Sequence, residues 1–345
     1  MLRIDEPRAA YVGWLGYANL GDEAVYDAYR QAFEGLHVTA VPFGGRIVDG
    51  LRWVRGRPLF RAIMLGGGTL IGTNAFRLEL SRPGLGDALP LYMLGTGVED
   101  PTYEAPYARD FAAELRRWLP ILRRAFRVTV RGPRSAEILD SIGVPSTVVG
   151  DPALLLTADP PVDRRGGVVG VNVGAARHIY GQDPERVMAS VADALNHLPP
   201  DIEIRLFSVW PSDDDSVAEL ASRLSRPASF IAEYRDAVTL MRHLATCDAV
   251  IGLKLHFVVL AAAAGVPGLM LAYHPKCLDF QASIGRGRWS LRTDEVSSRR
   301  ISDDLAELLS DVSGHRRAIA GAVATRRAQL RAEADACLRH LAGGS

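Results

Sequence analysis

The sequence predicts an α/β protein of two doubly wound, Rossmann-like domains facing each other across a cleft. Short β-rich apolar runs alternate with longer amphipathic segments along the whole chain, as in parallel sheets wrapped by helices. A Pro-rich, charged stretch, Asp159-Pro-Pro-Val-Asp-Arg-Arg-Gly-Gly167, interrupts the alternation, which then restarts. The 345 residues, 48% of them hydrophobic, are enough for two cores. The expected division is one domain over 1–160, a second over 161–300, and a helical segment over 301–345 packing across both.

In the first half, strands are expected at Tyr11–Leu15, Val38–Pro42, Ala62–Leu65, Pro90–Leu94, Arg127–Arg131 and Thr147–Val149. Helices are expected at Asp22–Phe33, Tyr107–Ala125 and Pro133–Ile142. The last opens on a proline in its first turn, where no N–H is needed, and stops before Gly143. In the second half, strands are expected at Val168–Val173, Glu203–Val209, Ala249–Gly252 and Gly268–Tyr273. The helices between and around them are Pro184–Leu198, Asp214–Leu224, Ala237–Thr246 and Leu255–Ala264, with one long Arg-rich helix from about Ser302 to Leu341.

Composition excludes several function classes. Forty basic residues balance forty acidic ones, so a general nucleic-acid coat is excluded, while a local basic cleft is not. The three cysteines, Cys247, Cys277 and Cys337, form no CxxC pair, which argues against a disulfide framework or a zinc knuckle. No metal is expected, and the setting reads as reducing and cytoplasmic. The segment Met1–Arg8 carries acids where a signal peptide has an apolar run. The longest apolar stretch, Phe257–Tyr273, is cut by Gly265-Val-Pro267, and neither half matches the roughly 20 residues a bilayer takes. A soluble chain with no transmembrane segment is expected.

Of the forty basic residues only two are lysines, Lys254 and Lys276. A bias toward arginine explains the total. Under that bias the surviving lysines mark places where a compact ammonium of tunable pKa differs from a planar, permanently charged guanidinium.

Open parallel sheets bind ligands beyond the carboxyl ends of their strands. After the first expected strand comes Gly16-Tyr-Ala-Asn-Leu-Gly-Asp-Glu23, where Asn19 and Asp22 suit helix capping and ligand contact equally, and Glu23 complements the helix dipole. Gly66-Gly-Gly68 offers a backbone nest for an anion, and Leu94-Gly-Thr-Gly-Val98 repeats the theme. Arg131 ends another strand, where it is placed either to fork an anion or to stand on a loop. In the second half, Arg177 and His178 follow one strand, Lys254 and His256 open a helix after another, and His274 and Lys276 follow a third. Lysine at a helix N-terminus opposes the dipole, and such local violations mark functional sites. Arg131, Arg177, Lys254, His256, His274 and Lys276 together predict a compact anionic ligand.

The ordered set Gly16-Tyr-Ala-Asn-Leu-Gly-Asp-Glu23, Gly66-Gly-Gly68, Gly95-Thr-Gly-Val98, Val130-Arg131 with Ser135, Asp151-Pro-Ala-Leu-Leu155, and Lys254-Leu-His256 with Tyr273 and Lys276 resembles the polysaccharide pyruvyl transferase family. The resemblance spans about residues 11–280. It implies a fold similar to the two-domain glycosyltransferase-B architecture, with the acceptor on the N-terminal side and phosphoenolpyruvate on the C-terminal side. The implied reaction moves the carboxyethylidene unit of phosphoenolpyruvate onto two sugar hydroxyls as a ketal, releasing phosphate. Phosphoenolpyruvate is then a co-substrate and no cofactor is needed. On this resemblance His256 is the expected general acid. Lys276 and Arg131 hold phosphate or carboxylate, supported by Arg177 and Lys254, while Gly67 and Gly68 supply backbone donors. Asp22 is the expected base toward the acceptor, and Asn19, Glu23 and His274 stand on the substrate side. Lys254 departs from the family pattern, which more often has arginine before Leu-His.

Two other readings stay open on sequence alone. One is a nucleotide-sugar glycosyltransferase of the same fold, releasing a nucleoside diphosphate. The other is a catalytically idle member that binds an anionic saccharide. The final helix reads as a solvated face with interspersed acids, or as a peripheral contact for an anionic membrane surface. Neither the acceptor sugar nor the oligomeric state is encoded legibly.

Overall fold

The computed structural model describes residues 7–41, 53–54, 57–58, 60–81, 89–103, 111–159, 166–176 and 178–343. Its contacts divide the chain into two units: Met1–Tyr17, Val25–Leu155 and Arg326–Ser345 form one, Ala18–Ala24 and Leu156–Thr325 the other. The units therefore do not follow chain order as simply as 1–160, 161–300 and 301–345. The short segment 18–24 belongs with the second unit, and the end of the last helix with the first.

The first unit contains β1 (Arg8–Val12), most of α1 (Leu20–Ala32), β2 (His37–Ala40), β3 (Trp53–Val54), β4 (Arg57–Pro58), β5 (Ala62–Leu65), β6 (Thr69–Ile71) and α2 (Asn74–Leu80). It continues with β7 (Leu91–Met93), β8 (Gly97–Val98), α3 (Phe111–Arg117), α4 (Leu119–Arg124), β9 (Thr129–Val130), α5 (Pro133–Asp140) and β10 (Thr147–Val148). Its main sheet is parallel in the order β2-β1-β5-β7, so the order reverses between β1 and β5. β9 pairs with β10 and β6 with β8 in separate parallel ladders. Ile63, Leu65, Met93, Trp118 and Leu139 lie in its core.

The second unit contains β11 (Val168–Asn172), α6 (Pro184–Asn196), β12 (Glu203–Ser208), α7 (Asp214–Arg223), β13 (Ala228–Ala232), α8 (Ala237–Ala245) and β14 (Ala249–Gly252). It closes with α9 (Leu255–Ala263), β15 (Gly268–Ala272), α10 (Pro275–Ser283), β16 (Ser290–Arg292), α11 (Ser298–Ser310) and the start of α12 (Val312–Gly343). Six strands run parallel in the order β13-β12-β11-β14-β15-β16. Counted from β11, this is the doubly wound order 3-2-1-4-5-6, whose reversal point lies between β11 and β14. Asn172 and Gly252 sit side by side there. A separate core includes Val171, Leu195, Leu206, Ile251 and Leu271.

Several expected elements differ. β1 ends at Val12 rather than Leu15, and Trp14 and Tyr17 are exposed. The helix expected over Tyr107–Ala125 is two helices broken at buried Trp118, whose indole N–H donates to the Thr73 carbonyl (3.1 Å). Proline at position 120 has no N–H to continue the first ladder. Residues 104–110, at that helix's expected start, and most of the linker 159–167 lie outside the described residues. The expected final helix breaks at Asp311, whose backbone leaves the helical region (φ −140°, ψ 64°). α2, α10, β3, β4, β6, β8, β13 and β16 were not expected.

Caps fix the helix starts. Asp236 precedes α8 and accepts from Val238 N–H (2.9 Å), Thr239 N–H (3.1 Å) and the Thr239 hydroxyl (2.7 Å). The Thr239 hydroxyl and N–H hold its carboxyl below the usual range. Asp236→Ala is expected to lower the stability of this unit by about 1 kcal/mol in urea unfolding. A depressed carboxyl stabilises above its unfolded pKa, so the difference between wild type and variant fades as pH falls through the folded value.

Among the described residues no helix is long and apolar enough to cross a membrane.

Candidate functional site

In the second unit the chemistry gathers at the reversal point of the sheet. Asn172, the last residue of β11, donates to the Phe207 carbonyl (3.0 Å) and accepts from the N–H groups of Gly174 (3.4 Å) and Lys254 (3.2 Å). One buried amide thus ties together the ends of β11, β12 and β14. Lys254 is not in the first turn of α9 but caps it with extended backbone (φ −70°, ψ 128°). Its ammonium at the positive helix end is offset by the partners that hold it.

The Lys254 ammonium donates to the Ala175 carbonyl (2.6 Å), lies 3.2 Å from Asp213 Oδ1 and stands 4.6 Å from the centre of the Trp210 ring. Its side chain is 16% exposed and that of Asp213 is fully buried. Burial pushes the lysine pKa down, against the pull of Asp213, and nearby Lys276 lowers it further. Burial pushes the Asp213 carboxyl up, while Lys254 opposes that rise.

His256 is the polar exception in a helix whose other eight residues are all buried and apolar. An all-round apolar helix is a buried helix, so half-buried His256 marks the face that opens. Gly21 packs against it: a Cβ on Gly21 would lie 2.1 Å from His256 Nδ1. The segment carrying Gly21 is anchored to the second unit by Leu20 N–H donating to the Val209 carbonyl (3.3 Å). Asn19 accepts from Gly21 N–H (3.2 Å) and donates to Asp22 Oδ2 (2.7 Å), so it both caps α1 and aims the carboxylate. Asp22 lies close enough to raise the pKa of Lys254, and Glu23 follows half-buried in the same turn.

Buried His274 caps α10, its Nδ1 accepting from Lys276 N–H (3.3 Å). A capping Nδ1 is unprotonated, which leaves the proton of the neutral ring on Nε2. The Lys276 ammonium stands 4.9 Å from the Tyr273 ring centre. Asn19, Asp22, Glu23, Lys254, His256, His274 and Lys276 therefore all belong to the second unit. Arg177 lies outside the described residues.

The remaining expected residues lie in the first unit and are used differently. Arg131 was expected at an open strand end, yet it is 0% exposed. It donates to Thr69 Oγ1 (3.1 Å) and lies 3.9 Å from Asp151, which is also fully buried. A Cβ on Gly97 would come within 2.3 Å of Arg131 Nη2, so that glycine makes room for the guanidinium. The Gly66–Gly68 turn is shaped by packing: a Cβ on Gly66 would meet Tyr11 and one on Gly67 would meet Val25, while Gly68 has φ +94° and its carbonyl accepts from Gly97 N–H (2.7 Å).

Sequence reasoning missed Asn172, Trp210 and Asp213. The signal for Asp213 was present in Pro211-Ser-Asp-Asp-Asp215 directly after an expected strand, an acidic run at a strand's ligand-binding end. Beside this network lies a cavity of about 330 Å³, whose walls include Gly174, Ala176, Ile179, Met188, Glu185 and Glu219. Its apolar lining and two carboxylates do not suit a compact anion, so the cationic cluster rather than the cavity is the anion-binding candidate.

Among solved structures, the S. aureus MnaA protein with UDP is similar at a TM-score of 0.61 and 12% identity, covering 91% of each chain. A UDP-GlcNAc 2-epimerase from Neisseria meningitidis gives a TM-score of 0.53 at 13% identity, over 91% of this chain and 94% of that one. A UDP-glucosyltransferase from Polygonum tinctorium gives 0.54 at 12% identity, over 97% and 99%. At such identities the likeness shows the fold, which is that of the glycosyltransferase-B class. No curated protein matches the sequence. The polysaccharide pyruvyl transferase family model matches residues 19–275, most of the chain and all of the segment from Asn19 to His274. The chain belongs to the polysaccharide pyruvyl transferase family.

Proposed function

We propose that this protein transfers the carboxyethylidene unit of phosphoenolpyruvate to two hydroxyls of a saccharide, forming a cyclic ketal and releasing phosphate. One observation carries the reading: in a chain of this family, both lysines, His256 and an Asn19-aimed Asp22 gather at the reversal point of one sheet. Phosphoenolpyruvate is a small polyanion whose methylene carbon must be protonated before C2 becomes electrophilic.

His256 donates a proton to that methylene as the general acid, a role imidazole fills more often than any other side chain. The π electrons form the new C–H bond, and positive charge develops at C2 and its oxygen. A sugar hydroxyl adds to C2 while Asp22 accepts its proton, which returns to His256. The C2–O bond to phosphate then breaks, and the second hydroxyl closes the ketal, its proton leaving with the phosphate. Lys276 offsets the charge of phosphate or carboxylate through the reaction. Glu23 stands on the acceptor side, and His274 contributes by capping the helix that presents Lys276.

The test is phosphate release from phosphoenolpyruvate with a panel of methyl pyranosides and disaccharides. Release that depends on both phosphoenolpyruvate and a saccharide supports the reading. Nucleoside diphosphate release from a UDP-sugar, with phosphoenolpyruvate untouched, overturns it. Lys276→Ala is expected to raise the KM for phosphoenolpyruvate about tenfold or more, as loss of a charged hydrogen bond to an anion does.

A further inference from the structure

The Lys254 ammonium has a complete set of partners inside its own unit, and Asp213 is the centre of that set. Asp213 Oδ1 pairs with Lys254 at 3.2 Å and also accepts the Ala175 N–H at 3.0 Å, while Lys254 donates to the carbonyl of the same Ala175. Both polar groups of one turn residue are thus held by one ion pair. Glycine at position 174 lets the pair sit close, since a Cβ there would lie 2.4 Å from Lys254 Cε and 2.5 Å from Asp213 Oδ1 and would push the pair aside. So tight a space accepts an ammonium with the Trp210 face above it. From one point the compact ammonium meets the carboxylate, the carbonyl and the ring, a geometry suited to a point charge rather than to a planar fork.

We propose that Asp213 is a positioning residue: it holds the Lys254 ammonium and, through Ala175, the turn after β11, so that the cationic edge stays rigid. The inference rests on the function proposed above for that edge. The charged groups facing Lys254 are Asp213 from the turn before α7, Lys276 from α10 and Asp22 from α1. With Asp213 neutralised, burial and Lys276 act against the ammonium, while Asp22, the Ala175 carbonyl and the Trp210 ring still support it.

The test uses the full chain labelled isotopically in lysine, which yields only two side-chain signal sets. In the wild type, the Lys254 ammonium protons should exchange slowly with solvent, unlike those of Lys276. In Asp213→Asn, the Lys254 titration midpoint should fall by about one pH unit or more while that of Lys276 stays in place. The alkaline limb of kcat/KM for phosphoenolpyruvate should move down by the same amount, and Asp213→Glu should restore part of it. A fast-exchanging Lys254 ammonium in the wild type overturns the proposal whether or not the variant folds, and so does an unmoved midpoint in folded Asp213→Asn. The lysine titration needs no substrate, so it separates this proposal from the pyruvyl-transfer reading.

A second observation lies in the first unit. Trp14 and Tyr17, 40% and 47% exposed, stack at a centroid distance of 4.5 Å and an angle of 17°. Phe76 packs edge-on behind Trp14 at 6.4 Å. Tyr17 is displayed between two left-handed residues, Gly16 (φ +87°) and Ala18 (φ +53°), and the second is a conformation that costs a non-glycine residue about 1 kcal/mol. The pair follows β1 at the reversal point of its sheet, the ligand-binding end of an open α/β unit.

The geometry points to a saccharide-stacking platform that receives the apolar face of an acceptor pyranose. Saturation-transfer NMR with the methyl pyranosides of glucose, galactose, mannose and N-acetylglucosamine tests it without phosphoenolpyruvate. At least one should bind, and Trp14→Ala and Tyr17→Ala should each weaken it about three- to tenfold, as lost aromatic stacking does. The KM for phosphoenolpyruvate should stay unchanged. No binding by the wild type overturns the platform, as does binding indifferent to both substitutions or a concentration-dependent dimer that the substitutions dissolve.

Discussion

His256→Ala should lower phosphoenolpyruvate-dependent phosphate release by a hundredfold or more, with little change in the KM for phosphoenolpyruvate. A positioned general acid contributes on the order of 10²–10⁴ in rate, and protonation of a carbon has no easy substitute in water. The variant should fold, because His256 is the half-buried exception in a helix held by its eight buried apolar residues. Gly21→Ala sharpens the expectation. Its added methyl would meet the imidazole at 2.1 Å, displacing the ring without removing any titratable group. A misplacement of the acid by about an ångström is enough to cost around a hundredfold. Single-turnover rates for both variants, with circular dichroism to check the fold, read the prediction. Near wild-type rates in either would remove His256 from the chemistry.

Arg131→Ala should act on stability first. The guanidinium and Asp151 are both fully buried, and truncating one member of a buried pair leaves the other charge uncompensated, at about 3–5 kcal/mol. Thermal unfolding should therefore fall by roughly 10 °C for a unit of this size. Arg131→Met combined with Asp151→Asn should recover part of the loss, because it removes the orphaned charge along with its partner. A ligand-gripping Arg131, as the sequence suggested, would leave the melting temperature alone and raise the KM for phosphoenolpyruvate.

The two outcomes for Arg131 show where sequence reasoning reaches and where it stops. The alternation of apolar runs located β5 and β14 to the residue, since short buried parallel strands are near-continuous apolar runs. The same logic could not find β13, an edge strand whose residues Ala228-Ser-Phe-Ile-Ala232 are mostly exposed. Nor did it find α10, because Tyr273-His-Pro-Lys276 was read for its chemistry although Pro275 is a helix-start residue. In the candidate site, lysine scarcity and the Leu-His pattern pointed at Lys254, His256 and Lys276. The partner of Lys254 was hidden because Asp213 stands 41 positions earlier and meets it only when β12 and β14 flank β11. Likewise, glycine turns look alike in sequence whether they cradle an anion or clear space for Tyr11 and Val25, and only packing tells them apart.

The central claim is tested most directly with phosphoenolpyruvate isotopically labelled at its methylene carbon, incubated with the full chain and a pyranoside acceptor and followed by carbon NMR. The claim predicts that the vinyl signal is replaced by a methyl signal on a ketal carbon bound to the sugar, with one phosphate released for each ketal formed. A vinyl signal that persists while a UDP-sugar is consumed, or a methyl signal belonging only to free pyruvate, would contradict it.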